Sequence, residues 1–463
     1  MPAISQVEHR VFWSSGESPR VRQANLRPDA SYDVIIVGGG FTGLWSAWHL
    51  TERDRSLSVL VVEAGQIGAG ASSRNAGYLV PHFSASYVEL NRTADQAGAA
   101  ALARAGMANL RDVIALVKRL DIDCDLVDCD IVTVSTHQGF DGRIARDLAA
   151  CEALGVDQTP LGRDDLRALM ASPVLTSGYS SRGATVNPSK LLHGLASVLQ
   201  DRNIAFAEDT RVQGTARDGG SVIVRTSRGT LRAGRVILAQ NAWAQQNQQF
   251  RRQILPVYTY QAVTRRLTAA ELGALGWHGR AAFSDRRSIL INFRLTPDDR
   301  ILFGGRDVVQ PFGGRLSASL ESNDRIVHLI RESFEYVFPD LREVPFEMAW
   351  GGPIALTPHH LPIVGTWMGG LAAFAHGCGG HGVTQSHLWS AAAVDLLFGE
   401  ATERTRLPFT QAPGARYPVE PARFLGGIAT RQQLRRYDDT VQSGRKPDRE
   451  APLMALVNRV LSR

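Results

Sequence analysis

Apolar residues along this chain recur in two rhythms, short unbroken runs and longer stretches with helical spacing, and their alternation divides the sequence. Val34, Ile35, Ile36 and Val37 form a β-branched run of the kind that makes a parallel strand covered on both faces, and Val59 to Val62 form a second. Between them Leu44, Ala47 and Trp48 fall at helical spacing. Strand, helix, strand is the expectation. Residues 97–120 carry the alanine- and leucine-rich pattern of a long helix, with shorter helical patterns at 140–154 and 163–172. Asn187 and Pro188 announce a further helix, with a capping side chain followed by proline at the first helical position, and Leu191, Leu192, Leu195, Val198 and Leu199 as its apolar stripe. Short strands are expected around Val212, Val222–Val224 and Val236–Leu238. From 250 to 346 strand-like runs (PVYTYQAVTR, SILINFRL, RILFGG) surround one amphipathic helix near 323–337, an α+β texture. Residues 350–400 return to the first rhythm. The last sixty residues are polar and end in a short amphipathic stretch, APLMALVNRVLSR, which reads as packing on its own domain or on a second subunit rather than on a membrane surface.

The first strand runs directly into Gly38, Gly40 and Gly43, the G-x-G-x-x-G spacing of a dinucleotide cradle. Gly38 permits a tight turn, Gly40 lets the backbone approach a pyrophosphate, and Gly43 lets the helix lie close to the sheet. The helix start then presents free N–H groups to the phosphates. Glu63 closes the second strand twenty residues after Gly43, where a carboxylate accepts ribose hydroxyls and repels a 2′-phosphate.

Composition narrows the partners. With 463 residues and 44% hydrophobic content the chain has room for two or three structural units with ample core. Cys124, Cys129, Cys151 and Cys378 form no C-x-x-C pair, which argues against zinc, iron–sulfur clusters and a disulfide framework, and no metal is expected. The net charge of +6 is spread along the chain without a basic stripe, so an anionic cofactor is a simpler reading than nucleic acid. No apolar stretch reaches the ~20 residues of a membrane span and the first residues lack a signal-peptide core, so a cytoplasmic protein is expected. Lysine occurs only as Lys118, Lys190 and Lys446.

Two further stretches select the nucleotide. Gly65 to Gly77 (GQIGAGASSRNAG) is too irregular for a helix and too rich in small residues for a packed strand, as suits a loop wrapped round a ligand. LAAFAHGCGGHGVTQSHLWSAAAVDLLFGE reads as strand, glycine turn and helix, but no partner strand or terminal acid follows, so it is not a second dinucleotide site. Together with VNPSKLLHGLA, VILAQNAW and WGGPIALTPHHLPIVG, these blocks resemble the D-amino-acid oxidase-like flavoprotein superfamily, closest to its γ-glutamylputrescine oxidase-like branch. The resemblance implies a Rossmann-like α/β FAD-binding domain of the glutathione-reductase type (30–95, 187–245 and 347–402). An inserted α+β substrate domain with an antiparallel sheet (96–186 and 246–346) and a C-terminal extension (403–463) complete the chain. It implies FAD lined by Gly38, Gly40, Phe41, Thr42, Gly43, Glu63, Ala64, Gly70, Ala71, Ser72, Arg74, Asn75, Ala76, Gly77, Val212 and Gly352. The turn Gly379, Gly380, His381, Gly382 and Val383 joins them, with amides facing the flavin N1–C2=O edge, where negative charge gathers on reduction. Covalent attachment through Cys378 is the less favoured reading beside an ordinary backbone turn.

The implied chemistry is FAD-dependent oxidation of a small primary or secondary amine, bearing an anionic group, by hydride transfer to flavin N5. The resulting imine hydrolyses to an aldehyde or keto acid. Positioning dominates such a reaction. Candidate site residues are His381, Tyr258 and Tyr260 on one strand and one face, Asn292 and Arg294 on another strand, and more weakly His82. Related enzymes use a lysine to promote oxygen reactivity, but Lys118 falls on a predicted outer helix, Lys190 near the start of the 188–200 helix and Lys446 in the tail, so the acceptor is O2 helped by a histidine or arginine, or another electron acceptor. An FAD-dependent α-hydroxy acid or glycerol-phosphate-type dehydrogenase, and a non-catalytic flavin-carrying subunit of a heteromeric complex, are the alternatives. A homodimer is possible within the same reading.

Overall fold

The strand Ser31–Val37 lies inside an eight-stranded sheet of the computed structural model, which describes residues 7–14, 21–27, 29–411 and 415–445. Across that sheet the order is Ile363–Trp367, Ala372–His376, Gly229–Leu238, Ser31–Val37, Val59–Val62 and Ala205–Ala207, and a hairpin of Val212–Asp218 and Ser221–Thr226 joins Gly229–Leu238. All neighbours from Ala372–His376 to Ala205–Ala207 are parallel. Parallel strands need both faces covered, and both are. Val34, Ile36, Val59 and Val61 pack under the helices Phe41–Arg53, Pro188–Asp201 and Gly382–Leu397, while Ile35, Val37, Leu60 and Val62 pack against the hairpin and Phe250.

The second sheet has ten strands and is mostly antiparallel. Its main path runs Glu8–His9, Phe346–Leu356, Leu255–Thr264, Ile301–Gly305, Ile291–Leu295, Ala282–Asp285, Val127–Ser135, Ser177–Thr185 and Tyr78–Leu79. Helix Asp324–Val337 covers one face, on a core that includes Tyr258, Tyr260, Phe293 and Phe303.

The predicted helices form at Gln96–Arg119, Asp141–Ala153, Arg163–Leu169, Pro188–Asp201 and Asp324–Val337. One boundary moves. Residues 347–356, taken above with the cofactor domain, continue the strand Phe346–Leu356, which pairs with Leu255–Thr264 in the second sheet. Strands Val127–Ser135 and Ser177–Thr185 were not among the expected elements; the first does alternate, with Asp128 and Asp130 between Val127, Cys129 and Ile131, whereas Ser180, Ser181 and Arg182 leave the second with few apolar positions. The extension contains a helix, Ala422–Gln442, that buries Arg423, Asp438 and Val441 and so docks through charge more than through an apolar stripe. The stretch 451–463 and Lys446 lie outside the described residues. Among the described residues no helix is long and apolar enough to cross a membrane.

Candidate active site

The glycine turn folds as its spacing requires. Gly38 sits at φ +116°, and a Cβ there would meet Ala239 O at 2.6 Å; a Cβ on Gly43 would collide with Gly38 O. Glu63 turns back under this loop, accepting from Gly39 N at 2.7 Å and Gly65 N at 3.0 Å. Burial pushes its carboxyl above the ordinary range, opposed by those backbone donors. The segment ahead of Val212 closes against the same residue, with Thr210 N on Glu63 O at 2.8 Å and Asp209 N on Gly65 O at 2.9 Å.

The second glycine stretch wraps over the helix start. Ser72 Oγ accepts from Phe41 N at 3.1 Å and would lie 2.8 Å from a Cβ on Gly40. Thr42 and Gly43 then keep N–H groups with no acceptor among the described residues, at the positive end of the helix dipole. Ala71 opens a short helical turn, Ala71–Ser73. Asn75 locks the exit from it, its Nδ2 donating to Ser72 O at 2.8 Å and its Oδ1 accepting from Gly77 N at 2.9 Å. Ala76 is buried with Trp13 and Trp350. A Cβ on Gly70 would meet Trp243 at 3.2 Å, and one on Gly352 would meet Arg74 Cβ at 3.2 Å.

The late glycine turn is brought to the same place. Asn241 Oδ1 accepts from Gly377 N and Cys378 N, both at 3.2 Å, and the preceding Ala239 touches Gly38. Trp389 Nε1 donates to Thr42 Oγ1 at 3.0 Å and Ser390 Oγ to Thr42 O at 2.8 Å, so the start of helix Phe41–Arg53 packs against the middle of helix Gly382–Leu397. Gly379 N donates to Ala355 O at 2.9 Å, which leaves the amides of Gly380, Gly382 and Val383 without acceptors among the described residues. Asn241 was not among the candidates; its block was quoted, but nothing local marks it as the acceptor for a turn far along the chain.

Residues 33–396 match the family described as DAO, FAD dependent oxidoreductase. The chain belongs to that family. It is 28% identical over 419 residues to gamma-glutamylputrescine oxidoreductase of Escherichia coli, spanning 87% of this chain and 92% of the relative. It is 25% identical over 391 residues to glycine oxidase of Geobacillus kaustophilus, spanning 82% and 96%. The crystal structure of glycine oxidase from Geobacillus kaustophilus superposes with a TM-score of 0.69 at 21% identity, over 83% of this chain and all of that one. The protein is thus an FAD-dependent oxidoreductase, and the free amides at both helix starts and the Glu63 carboxyl beneath the glycine turn fit that cofactor.

The expected substrate residues divide between two faces of the second sheet. Tyr258 and Tyr260 do share a face, but it is the one packed under Asp324–Val337, and their hydroxyls donate to Ser317 O at 3.1 Å and Leu320 O at 2.7 Å. The structure separates them from the crevice. Asn292 and Arg294 lie on the opposite face: Asn292 pairs across Gly304 with Gln261, and Gln261 shares its face with Thr259, opposite Gly352 and Arg74. Gln261 Oε1 and Asn292 Oδ1 are buried without partners. Arg294 is buried, donates through Nη2 to Val186 O at 2.7 Å, stacks on Trp13 at 5.1 Å, and is drawn down to about 10 by burial. Arg74, by contrast, is held by Glu321 at 2.7 Å.

His381 precedes the helix Gly382–Leu397 as its N-cap residue, with Nδ1 3.2 Å from Gly379 O. Its ring lies 4.9 Å from that of His82, and burial, then the neighbouring His82, pulls it down to about 3. Cys378 Sγ takes a hydrogen bond from Asn241 Nδ2 at 3.2 Å.

Proposed function

We propose that the protein oxidises a small primary or secondary amine to an imine, which water hydrolyses to an aldehyde or keto acid. Bound FAD would supply the hydride acceptor at N5. The observation that carries the reading is the turn 377–383, which Asn241 ties to the segment beside Gly38 and whose amides at Gly380, Gly382 and Val383 have no acceptor among the described residues, so that they could stabilise charge developing on bound flavin. The curated relatives named above point the same way. His381 and His82 flank this turn as imidazoles that burial keeps from charging, and the Arg286 guanidinium near His82 is paired with Asp147.

The anionic group expected on the substrate has one partner in this reading. Of Arg74, Arg286 and Arg294, the first two are paired with Glu321 and Asp147, whereas Arg294 has among the described residues no carboxylate partner and an Nε without an acceptor. Lys118 is paired with Asp128 and Lys190 with Asp125, so among the described residues no lysine is free for the acceptor half-reaction; either a histidine or arginine helps O2, or the electrons pass to another acceptor.

An anaerobic panel of amines and α-hydroxy acids, followed by flavin bleaching at about 450 nm, tests the proposal. Bleaching by amines supports it, bleaching by hydroxy acids alone replaces it with the dehydrogenase reading, and bleaching only in the presence of a partner protein replaces it with the carrier reading. Acid precipitation should release all the yellow colour, as a non-covalent flavin requires. Peroxide formed per turnover then separates O2 from other acceptors.

A further inference from the structure

Trp13 lies ahead of the family match at 33–396, yet it is buried in the second sheet beside the loop that wraps the cradle. The arm that carries it is fastened first by pairing: Glu8 and His9 run parallel to Met348 and Ala349, and His9 Nε2 lies 2.7 Å from Asp324 Oδ1. The Trp13 ring then packs with Ala76, Val263 and Trp350, its Nε1 donates to Asn75 O at 2.8 Å, and the Arg294 guanidinium lies 5.1 Å from the ring centre. Further along the arm, Gln23 and Glu208 clasp each other, with Gln23 Nε2 donating to Glu208 Oε2 at 2.8 Å and Glu208 N to Gln23 Oε1 at 2.9 Å. The other carboxylate oxygen of Glu208 accepts from Ile67 N at 2.7 Å. One arm therefore holds the stretch 65–77 near both of its ends.

What the arm does to this loop follows from the shape of the peptide group. In a trans peptide the C=O and the N–H point in opposite directions, so a carbonyl held in place also aims the amide of the next residue. Trp350 Nε1 donates to Arg74 O and Trp13 Nε1 to Asn75 O, both at 2.8 Å, and both peptides are trans, so two indoles hold two consecutive peptide planes. Asn75 N and Ala76 N are thereby turned away from the indoles, and neither has an acceptor among the described residues. Ala76 is buried, where an N–H left unpaired is unfavourable unless a ligand accepts it. The Asn75 side chain braces the same geometry through Ser72 O and Gly77 N, and Ser72 Oγ takes the Phe41 N–H. The two free amides thus belong to one hydrogen-bonded piece with the first helix start.

We propose that the N-terminal arm is a working part of the cofactor site. Trp13 is a positioning residue: through Asn75 O it holds the amides of Asn75 and Ala76 ready to donate to bound FAD, while Gln23 steadies the other end of the loop through Glu208. Docking of the arm and binding of FAD then favour each other by the same factor, as linkage requires of two events that order one loop. The inference rests on the assignment of 65–77 to the cofactor and holds whichever substrate is oxidised.

The test compares the wild type with Trp13→Phe, which keeps an aromatic ring against Arg294 and the core but removes the indole donor. FAD, stripped from each full-length protein by dialysis against potassium bromide and added back, should bind the variant about fivefold more weakly, the loss expected of one hydrogen bond. The melting temperature of the FAD-loaded variant should fall by more than that of the FAD-free variant, because weaker binding removes part of the stabilisation that the ligand confers. An unaltered affinity overturns the proposal, and so does an equal fall in both melting temperatures, which a packing contact alone would give. Amide exchange on the wild type, which needs no variant to fold, should show residues 7–14 and 71–77 gaining protection together when FAD is added. Protection gained by 71–77 alone would separate the arm from the cofactor site, whereas protection gained by neither would remove the loop itself from that site.

Discussion

The Glu63 carboxylate accepts a hydrogen bond from Gly39 N at 2.7 Å, so the acid at the end of the second strand and the glycine turn after the first are a single unit. A second bond from Gly65 at 3.0 Å ties the same acid to the loop beyond it. Glu63→Gln keeps the size of the side chain but removes its charge and places an N–H group against a backbone donor. Charge-assisted hydrogen bonds contribute about 1.5–3 kcal/mol each, so FAD should bind about ten- to a hundredfold more weakly. Equilibrium dialysis with FAD fluorescence measures this, and unaltered affinity would remove Glu63 from the cofactor site.

Tyr258 and Tyr260 were expected at the substrate and lie behind the sheet instead. Tyr258→Phe and Tyr260→Phe should leave anaerobic flavin reduction within about twofold of wild type while destabilising the fold by about 1 kcal/mol each, because Ser317 O and Leu320 O lose their donors. A large fall in reduction rate with an unchanged melting temperature would place the hydroxyls back in the chemistry.

These tyrosines show where the sequence stopped being legible. Alternation along a strand says that residues 258 and 260 share a face, and they do; which face meets the cofactor depends on the register with Phe346–Leu356, where Thr259 and not Tyr258 stands opposite Gly352. The glycine turn, Glu63 and the helix at Pro188 were readable because each is written within a few dozen residues. Asn241, Gln261 and the Arg286–Asp147 pair were not, since their partners lie far along the chain and nothing in local spacing marks them.

A second group of histidines sets the acid limit of the fold. His387 Nδ1 lies 2.7 Å from Asn109 Oδ1 and His49 Nε2 lies 3.0 Å from His387 O, with the two rings 4.5 Å apart under the paired helices. Burial pulls His49 down to about 4 and His387 down to about 2. Both therefore sit below their unfolded value near about 6.5, so the unfolded chain takes up protons first. The stability they allow is complete above about pH 6.5 and is lost as pH falls through that value and on towards about 4, at up to about 1.4 kcal/mol per pH unit for each histidine. Denaturant unfolding between neutral and mildly acidic pH should show this slope, and His49→Gln should flatten it; a slope unchanged by the substitution would assign the acid sensitivity elsewhere.

Asp438 offers the most direct test of why the chain continues past its family domain. It is fully buried, accepts from Ser288 N at 2.9 Å, Ser288 Oγ at 2.8 Å and Ile289 N at 3.1 Å, and so clamps the turn leading into the strand that carries Asn292 and Arg294. The same helix reaches Arg306 through Asp439 at 2.7 Å and Asp307 through Arg435 at 2.9 Å. Removing the buried acceptor leaves two backbone N–H groups without partners, at a cost of about 1–3 kcal/mol each. Asp438→Ala should therefore raise amide exchange across 286–290 and along Ala422–Gln442 together, while the cradle around Gly38 keeps its protection and the protein keeps its FAD. Exchange confined to the helix, with 286–290 unchanged, would mean that the extension merely rests on the substrate side of the molecule. A simultaneous rise in both would make it the brace that holds the Asn292 strand in register with Gly304.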